Sequence, residues 1–103
     1  MNALVVRQAI HGANTTIARL ELKKGALVPE HHHVNEQMTV LLSGRLRFIF
    51  PEETLELVAG EVMEIAPNLP HSVEALEDSV AVDVFAPVRE DWRRGDDAYL
   101  RGR

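Results

Sequence analysis

The run Pro29-Glu30-His31-His32-His33-Val34-Asn35-Glu36-Gln37 concentrates three imidazoles with carboxylates and carboxamides, directly ahead of the strand-like Met38-Thr39-Val40-Leu41-Leu42. On a β-strand alternate side chains share a face, so His31 and His33 point one way and His32 the other. Two neutral imidazoles side by side on a rigid strand are natural ligands for a divalent metal. Such a pair needs a further ligand, and the chain has only two other histidines, His11 and His71. His71 ends the turn Ala66-Pro67-Asn68-Leu69-Pro70 and opens a new apolar alternation, which makes it the completing ligand. His11 falls in a turn and reads as surface, and His32 reads as a surface or rim residue. A solvated polar loop is the bland alternative for the run. A tag remnant is not, because the run is internal.

A second cluster stands near the end of the chain, in Val82-Asp83-Val84-Phe85-Ala86-Pro87-Val88-Arg89. A carboxylate in an apolar run is costly unless it is paired or functional. Alternation puts Asp83 and Phe85 on one face. If that face is interior, Asp83 meets the metal site, where a general acid or base is wanted. Arg89 follows just beyond, in reach of the barrel mouth, and its fork suits a carboxylate. A structural Asp83–Arg89 ion pair, or Asp83 on the outer sheet face, is the alternative.

The elements that must position these residues read as short strands. Leu4–Ile10, Thr15–Leu22, Ala26–His33, Gln37–Leu42, Arg45–Phe50, Leu55–Leu57, Val62–Ile65, Ser72–Leu76 and Val80–Ala86 carry the apolar alternation. Turn signals separate them every 8 to 12 residues, the pattern of an all-β sandwich or small barrel. Ser43-Gly44 reads as a tight turn that joins its flanking strands in a hairpin. Residues 1–103 form one domain, with a polar C-terminal tail over 89–103. Within that tail Arg89–Trp92 suits one helical turn, and Trp92 is expected on the outside of the barrel or in a dimer interface.

Composition sets outer bounds. With 103 residues, 46% apolar, the chain is one compact domain rather than a disordered segment. A net charge of −5 argues against nucleic acid as a partner. Without cysteine, any metal is held by nitrogen and oxygen donors. No apolar run reaches the length of a membrane span, and the N-terminus lacks the pattern of a signal peptide, so cytoplasmic residence is the expectation.

The spacing of glycines around the two histidine motifs carries a resemblance. Gly25, His31, His33, Gln37 and Gly44 resemble the first cupin motif, and Gly60, Pro67, Asn68, Pro70 and His71 resemble the second. Asn68 stands where the second motif has glycine, and asparagine also tolerates the left-handed conformation. Gln37 stands where the first motif has glutamate. The neighbouring Glu36 points to the opposite face of a regular strand, but a bulge would exchange the two, so Glu36 stays open as the alternative fourth ligand.

The strings His31-His32-His33-Val34-Asn35-Glu36-Gln37, Pro67-Asn68-Leu69-Pro70-His71-Ser72 and Asp83-Val84-Phe85-Ala86-Pro87-Val88-Arg89-Glu90-Asp91-Trp92 are similar to the pectin-degradation (KdgF) family of small cupins. The resemblance implies a double-stranded β-helix, a cupin jelly-roll barrel, assembled as a homodimer. It implies one divalent metal ion, zinc, nickel, manganese or iron, on His31, His33, Gln37 and His71. It further implies that Asp83, Phe85 and Arg89 act on a sugar-acid substrate, a 4,5-unsaturated monouronate converted to its linear keto form. An iron-dependent cupin dioxygenase and a non-catalytic metal- or sugar-binding cupin are the competing expectations.

Overall fold

The computed structural model describes residues 4–94, which form nine strands and one short helix. The strands are β1 (Val5–His11), β2 (Thr16–Leu22), β3 (Leu27–His31), β4 (Glu36–Ser43), β5 (Arg45–Ile49), β6 (Thr54–Val58), β7 (Val62–Ile65), β8 (His71–Ala75) and β9 (Ser79–Ala86), and the helix is α1 (Glu90–Arg93). Two antiparallel sheets, ordered β1-β2-β9-β4-β7 and β3-β8-β5-β6, enclose one core. This is the expected all-β jelly roll. Among the described residues no helix is long and apolar enough to cross a membrane.

Alternation along each strand builds the core and ends it. On β2, Thr16, Ala18, Leu20 and Leu22 face in while Ile17, Arg19 and Glu21 face out. On β9 the inward set is Ser79, Ala81, Asp83 and Phe85, and on β4 it is Gln37, Thr39 and Leu41. Register stacks these sets in layers. Leu20 opposes Ala81, which opposes Leu41; Ala18 opposes Asp83, which opposes Thr39; Thr16 opposes Phe85, which opposes Gln37. The interior is therefore apolar at one end and polar at the other. From the second sheet Leu46, Phe48 and Val73 close the apolar end, each contributing roughly 1.5–3 kcal/mol of burial. His71, opposite His31, lies at the polar end.

Three expectations are corrected. The strands flanking Ser43-Gly44 do not pair, because β4 and β5 lie in different sheets. The register of β4 on β9 shifts between Leu41 and Ser43, and Gly44 turns the chain across at φ +91°. Tight turns and sheet crossings share the same glycine signal, which is why local sequence reads as a hairpin. Next, β3 stops at His31, so His33 belongs to the connection rather than to the strand. It still faces inward with His31, and His32 is exposed. Finally, Trp92 is not on the outside. It is 7% exposed and packs on Phe85, with ring centroids 5.0 Å apart. Arg89, the first residue of the expected polar tail, is also buried. Positions 95–103 of that tail lie outside the described residues.

Gly44 combines a positive φ with a crowded site. A Cβ there would sit 2.7 Å from Ser79 Cα and would also meet the Asp78 carbonyl. We predict that Gly44→Ala lowers the unfolding free energy by about 2 kcal/mol or more in urea titrations, the cost of strain plus displaced backbone. A loss below about 0.5 kcal/mol, the level of an ordinary surface substitution, would contradict this view of the crossing.

Candidate functional site

At the polar end three imidazoles converge. The ring centroids of His31 and His71 are 4.4 Å apart, those of His33 and His71 5.2 Å, and those of His31 and His33 5.7 Å. One ring nitrogen from each lies within 4.8 Å of the others. His31 is brought by the end of β3, His71 by the start of β8, and His33 by the connection before β4. The turn that feeds β8 takes the left-handed conformation at Asn68, φ +63°. The Asn68 N–H donates to the His33 carbonyl at 2.7 Å and so ties the two histidine motifs together.

Each imidazole commits one nitrogen to a backbone carbonyl. His31 Nδ1 faces Pro29 O at 2.8 Å, His33 Nδ1 faces Asn35 O at 3.0 Å, and His71 Nδ1 faces Leu69 O at 2.8 Å. A carbonyl can only accept, so each Nδ1 carries the proton and donates it. The neutral ring then presents a bare Nε2 lone pair, the usual way in which a protein orients a metal-binding imidazole.

Gln37 supplies a fourth donor atom. Its side chain is buried, whereas Glu36 is exposed on the outer face of a β4 that is regular at this point. Gln37 Nε2 donates to Thr39 Oγ1 at 2.9 Å, and Thr39 Oγ1 donates to Asp83 Oδ1 at 2.6 Å. The single threonine proton goes to the carboxylate, so the threonine oxygen must accept from the amide N–H. That chain fixes the amide with its oxygen toward His33, where Gln37 Oε1 lies 3.1 Å from His33 Nε2. With the His33 proton on Nδ1, two lone pairs face each other inside the protein. A cation between them relieves that repulsion, and the donor set of three neutral nitrogens and an amide oxygen fits a divalent metal.

Burial, aided by neighbouring positive charge, keeps the imidazoles neutral. Burial lowers the His31 pKa to about 4, helped by the neighbouring His71, His33 and Arg89. Burial and then the Arg89 charge lower that of His33 to about 4. His71 is lowered by the same two causes. Asp83 moves the other way: burial raises its pKa to about 6, against the hydrogen bonds from Thr39 and Gln37 and the charge of Arg89. His31, Gln37, His71, Asp83, Phe85 and Arg89 border one cavity, whose floor is Leu20, Leu22, Val28, Leu46, Phe48, Val73 and Ala81. His11 does not border it and hydrogen-bonds Thr16 Oγ1 at 2.8 Å.

Some residues that organise this end escape sequence reasoning. Asn35, 3% exposed, accepts from His33 and donates its amide to the Pro87 and Val88 carbonyls. It thus joins the histidine connection to the segment that carries Arg89. Thr39 bridges Gln37 and Asp83. Thr16 Oγ1 accepts the Arg89 backbone N–H at 2.9 Å. Inward alternation marks Thr16 and Thr39 as buried polar groups needing partners, but no local pattern names those partners.

Comparison with known proteins agrees with this architecture. A family model described as a cupin domain matches residues 18–86. Solved structures with the same fold include KdgF from Halomonas sp., at TM-score 0.83 and 23% identity, covering 89% of this chain and 88% of that one. An RmlC-like cupin from Shewanella frigidimarina superposes at TM-score 0.82 and 22% identity, covering 89% and 84%. A variant of oxalate decarboxylase from Bacillus subtilis does so at 0.79 and 18%, covering 86% of this chain and 27% of that one. A search of curated proteins found no match.

The neutral imidazoles make stability pH-dependent. Between about pH 6.5 and 4 the unfolded chain protonates imidazoles that the metal-free folded protein keeps neutral at His31 and His33, and His71 is shifted in the same direction. Asp83 acts in the opposite sense, since the folded protein holds its proton up to about pH 6 while the unfolded chain has released it near 3.8. Three groups outweigh one, so the unfolded state binds more protons and stability falls with falling pH. The unfolding free energy of chelator-treated protein, from urea titrations, should drop between pH 7.5 and 5 by roughly 1 kcal/mol per pH unit or more across the titrating range. Equal or higher stability at pH 5 would show that the imidazoles are not held neutral.

Proposed function

Because the chain belongs to the cupin family, we propose that it is a metal-dependent enzyme that converts a 4,5-unsaturated monouronate, from pectin- or alginate-type polysaccharide breakdown, to its linear keto form. The observation that carries the reading is one cavity bordered by His31, Gln37, His71, Asp83 and a buried Arg89, with His33 Nε2 set against Gln37 Oε1. In this reading His31, His33, Gln37 and His71 hold one divalent ion. Held by neutral donors only, it supplies Lewis acidity toward ligand oxygens.

The chain's own residues supply the rest. Arg89, Asp83 and Asp91 together leave one negative charge, which becomes one positive charge with a dipositive ion, a balance that suits a monoanion. Arg89 binds the uronate carboxylate. Phe85 forms an apolar wall against the sugar. Opening the ring removes a proton from the anomeric hydroxyl as the ring carbon–oxygen bond breaks, and returns one to the carbon of the former double bond. No net proton or electron is needed. Asp83, with a pKa near neutrality, accepts the first and delivers the second. In this reading the reaction takes place in the cytoplasm.

The apolar floor of the cavity favours a second reading, a cupin dioxygenase acting on a small aromatic or diketone substrate. Oxygen consumption would distinguish it. For the first reading, the ultraviolet absorbance of an unsaturated monouronate should fall in the presence of the protein and persist with chelator. Asp83→Asn should retain bound metal and lose roughly 100-fold or more of the rate. A near-normal rate in that variant would remove Asp83 from the mechanism.

A homodimer belongs to the same proposal. The outer face of the larger sheet carries Ile10, Ile17, Val84 and Met38 in one cross-strand row, with Val82, Val40 and Val62 in the next. Ile10 is 73% and Val62 60% exposed, an apolar face of the kind that a second copy covers. Light scattering should give a dimer, and Val82→Lys, at the centre of that face, a monomer with unchanged metal content. A monomeric wild-type protein at micromolar concentration would refute the interface.

A further inference from the structure

Thr39 is 1% exposed and follows Gln37 on the inward face of β4, opposite Asp83 on β9. Its hydroxyl has one proton and gives it to Asp83 Oδ1 at 2.6 Å. Toward Gln37 it therefore offers only an acceptor, which Gln37 Nε2 fills at 2.9 Å. Asp83 also receives a hydrogen bond from Gln37, and an ionised carboxylate is likewise acceptor-only. On this side the surroundings of the amide admit its nitrogen and reject its oxygen.

On the other side the preference reverses. His33 Nδ1 donates to the Asn35 carbonyl at 3.0 Å, which leaves Nε2 a bare lone pair 3.1 Å from Gln37 Oε1. Without an ion, His33 by itself favours the opposite amide. A half-turn about the last side-chain bond brings an N–H to His33 Nε2 and turns a repulsive contact into a hydrogen bond. Such a turn needs little room, because the two ends of a carboxamide are nearly alike in size. Its cost falls at Thr39, where the amide oxygen meets an oxygen whose proton is committed to Asp83. Each orientation thus has one mismatched contact. The charge-assisted bond from Thr39 to Asp83 decides between them, since releasing that proton to the amide would strip a buried carboxylate of its donor.

We propose that Thr39 is a positioning residue for the metal, whose hydroxyl holds the Gln37 amide with its oxygen toward His33 and so prevents the amide from capping His33 Nε2 with its own N–H. This rests on the reading that His31, His33, Gln37 and His71 hold a divalent ion. A capped His33 must lose that hydrogen bond before it can ligate, and the ion would meet an N–H where it needs an oxygen. A carboxylate has two equivalent oxygens and no wrong end, so the need for Thr39 disappears when residue 37 is glutamate. General damage to the barrel makes no such distinction.

The test measures zinc affinity of the full chain at pH 7.5, by competition with a chromophoric chelator. Thr39→Val should weaken it about tenfold or more, and Thr39→Ser, which keeps the hydroxyl, should restore most of the loss. In a Gln37→Glu background Thr39→Val should cost about twofold or less. Thr39→Ala takes the place of Thr39→Val if the valine variant does not fold. Undiminished affinity in Thr39→Val, or the same loss in both backgrounds, overturns the proposal. A wild-type chain that binds neither zinc nor nickel, manganese or iron defeats the metal reading itself. The amide is then still read in chelator-treated protein, by the NMR scalar coupling across a hydrogen bond from Gln37 Nε2–H to His33 Nε2. Coupling absent from wild type and present in Thr39→Val supports the role of Thr39. Coupling in wild type, or in neither protein, overturns it.

Discussion

Everything at the polar end of the barrel depends on where three protons sit. Each site imidazole gives its Nδ1 proton to a backbone carbonyl two residues away in the chain. That choice orients the ring, holds it neutral and aims a bare lone pair at the centre. It also sets the lone pairs of His33 Nε2 and Gln37 Oε1 against each other, an arrangement that a bound cation would relieve. Backbone carbonyls near the end of β3, ahead of β4 and before β8 are therefore as much part of the site as the imidazoles.

The barrel makes those carbonyls available. Strands running past one another in register give an interior whose layers pass from Leu20, Ala81 and Leu41 to Ala18, Asp83 and Thr39, and then to Thr16, Phe85 and Gln37. Polar groups admitted to such an interior must find partners, and here they find each other. The Gln37–Thr39–Asp83 chain satisfies three buried side chains with two hydrogen bonds and fixes the direction of the amide. Burial that favours neutral imidazoles also raises the pKa of Asp83, so one low-dielectric environment shifts both kinds of group toward their neutral forms.

The segment after β9 closes the arrangement. Asn35 bonds the Pro87 and Val88 carbonyls, Thr16 takes the Arg89 N–H, and Asp91 takes the Arg89 side chain. Trp92, packed on Phe85, covers the same end of the core. Histidine connection, inner strand and C-terminal turn are thus one hydrogen-bonded body, which explains how a buried guanidinium can be held close to three imidazoles.

Periodicity and spacing by themselves determined that the chain is an all-β barrel, that Asp83 and Phe85 share one face of β9, and that His31, His33 and His71 belong together. Those properties are local or follow from alternation, and alternation leaves little freedom once one face is buried. Tertiary structure alone decided that the chain crosses between sheets at Gly44, because a glycine signal is the same for a hairpin and a crossing. It alone decided that Gln37 faces in while Glu36 faces out, since a bulge anywhere along β4 would have exchanged them, and the one present lies further on, between Leu41 and Ser43. It alone brought Trp92 inside and paired Arg89 with Asp91. Those outcomes depend on which surfaces meet, and contacts between residues dozens of positions apart, such as Asn35 with Val88, leave no mark in the neighbouring sequence of either.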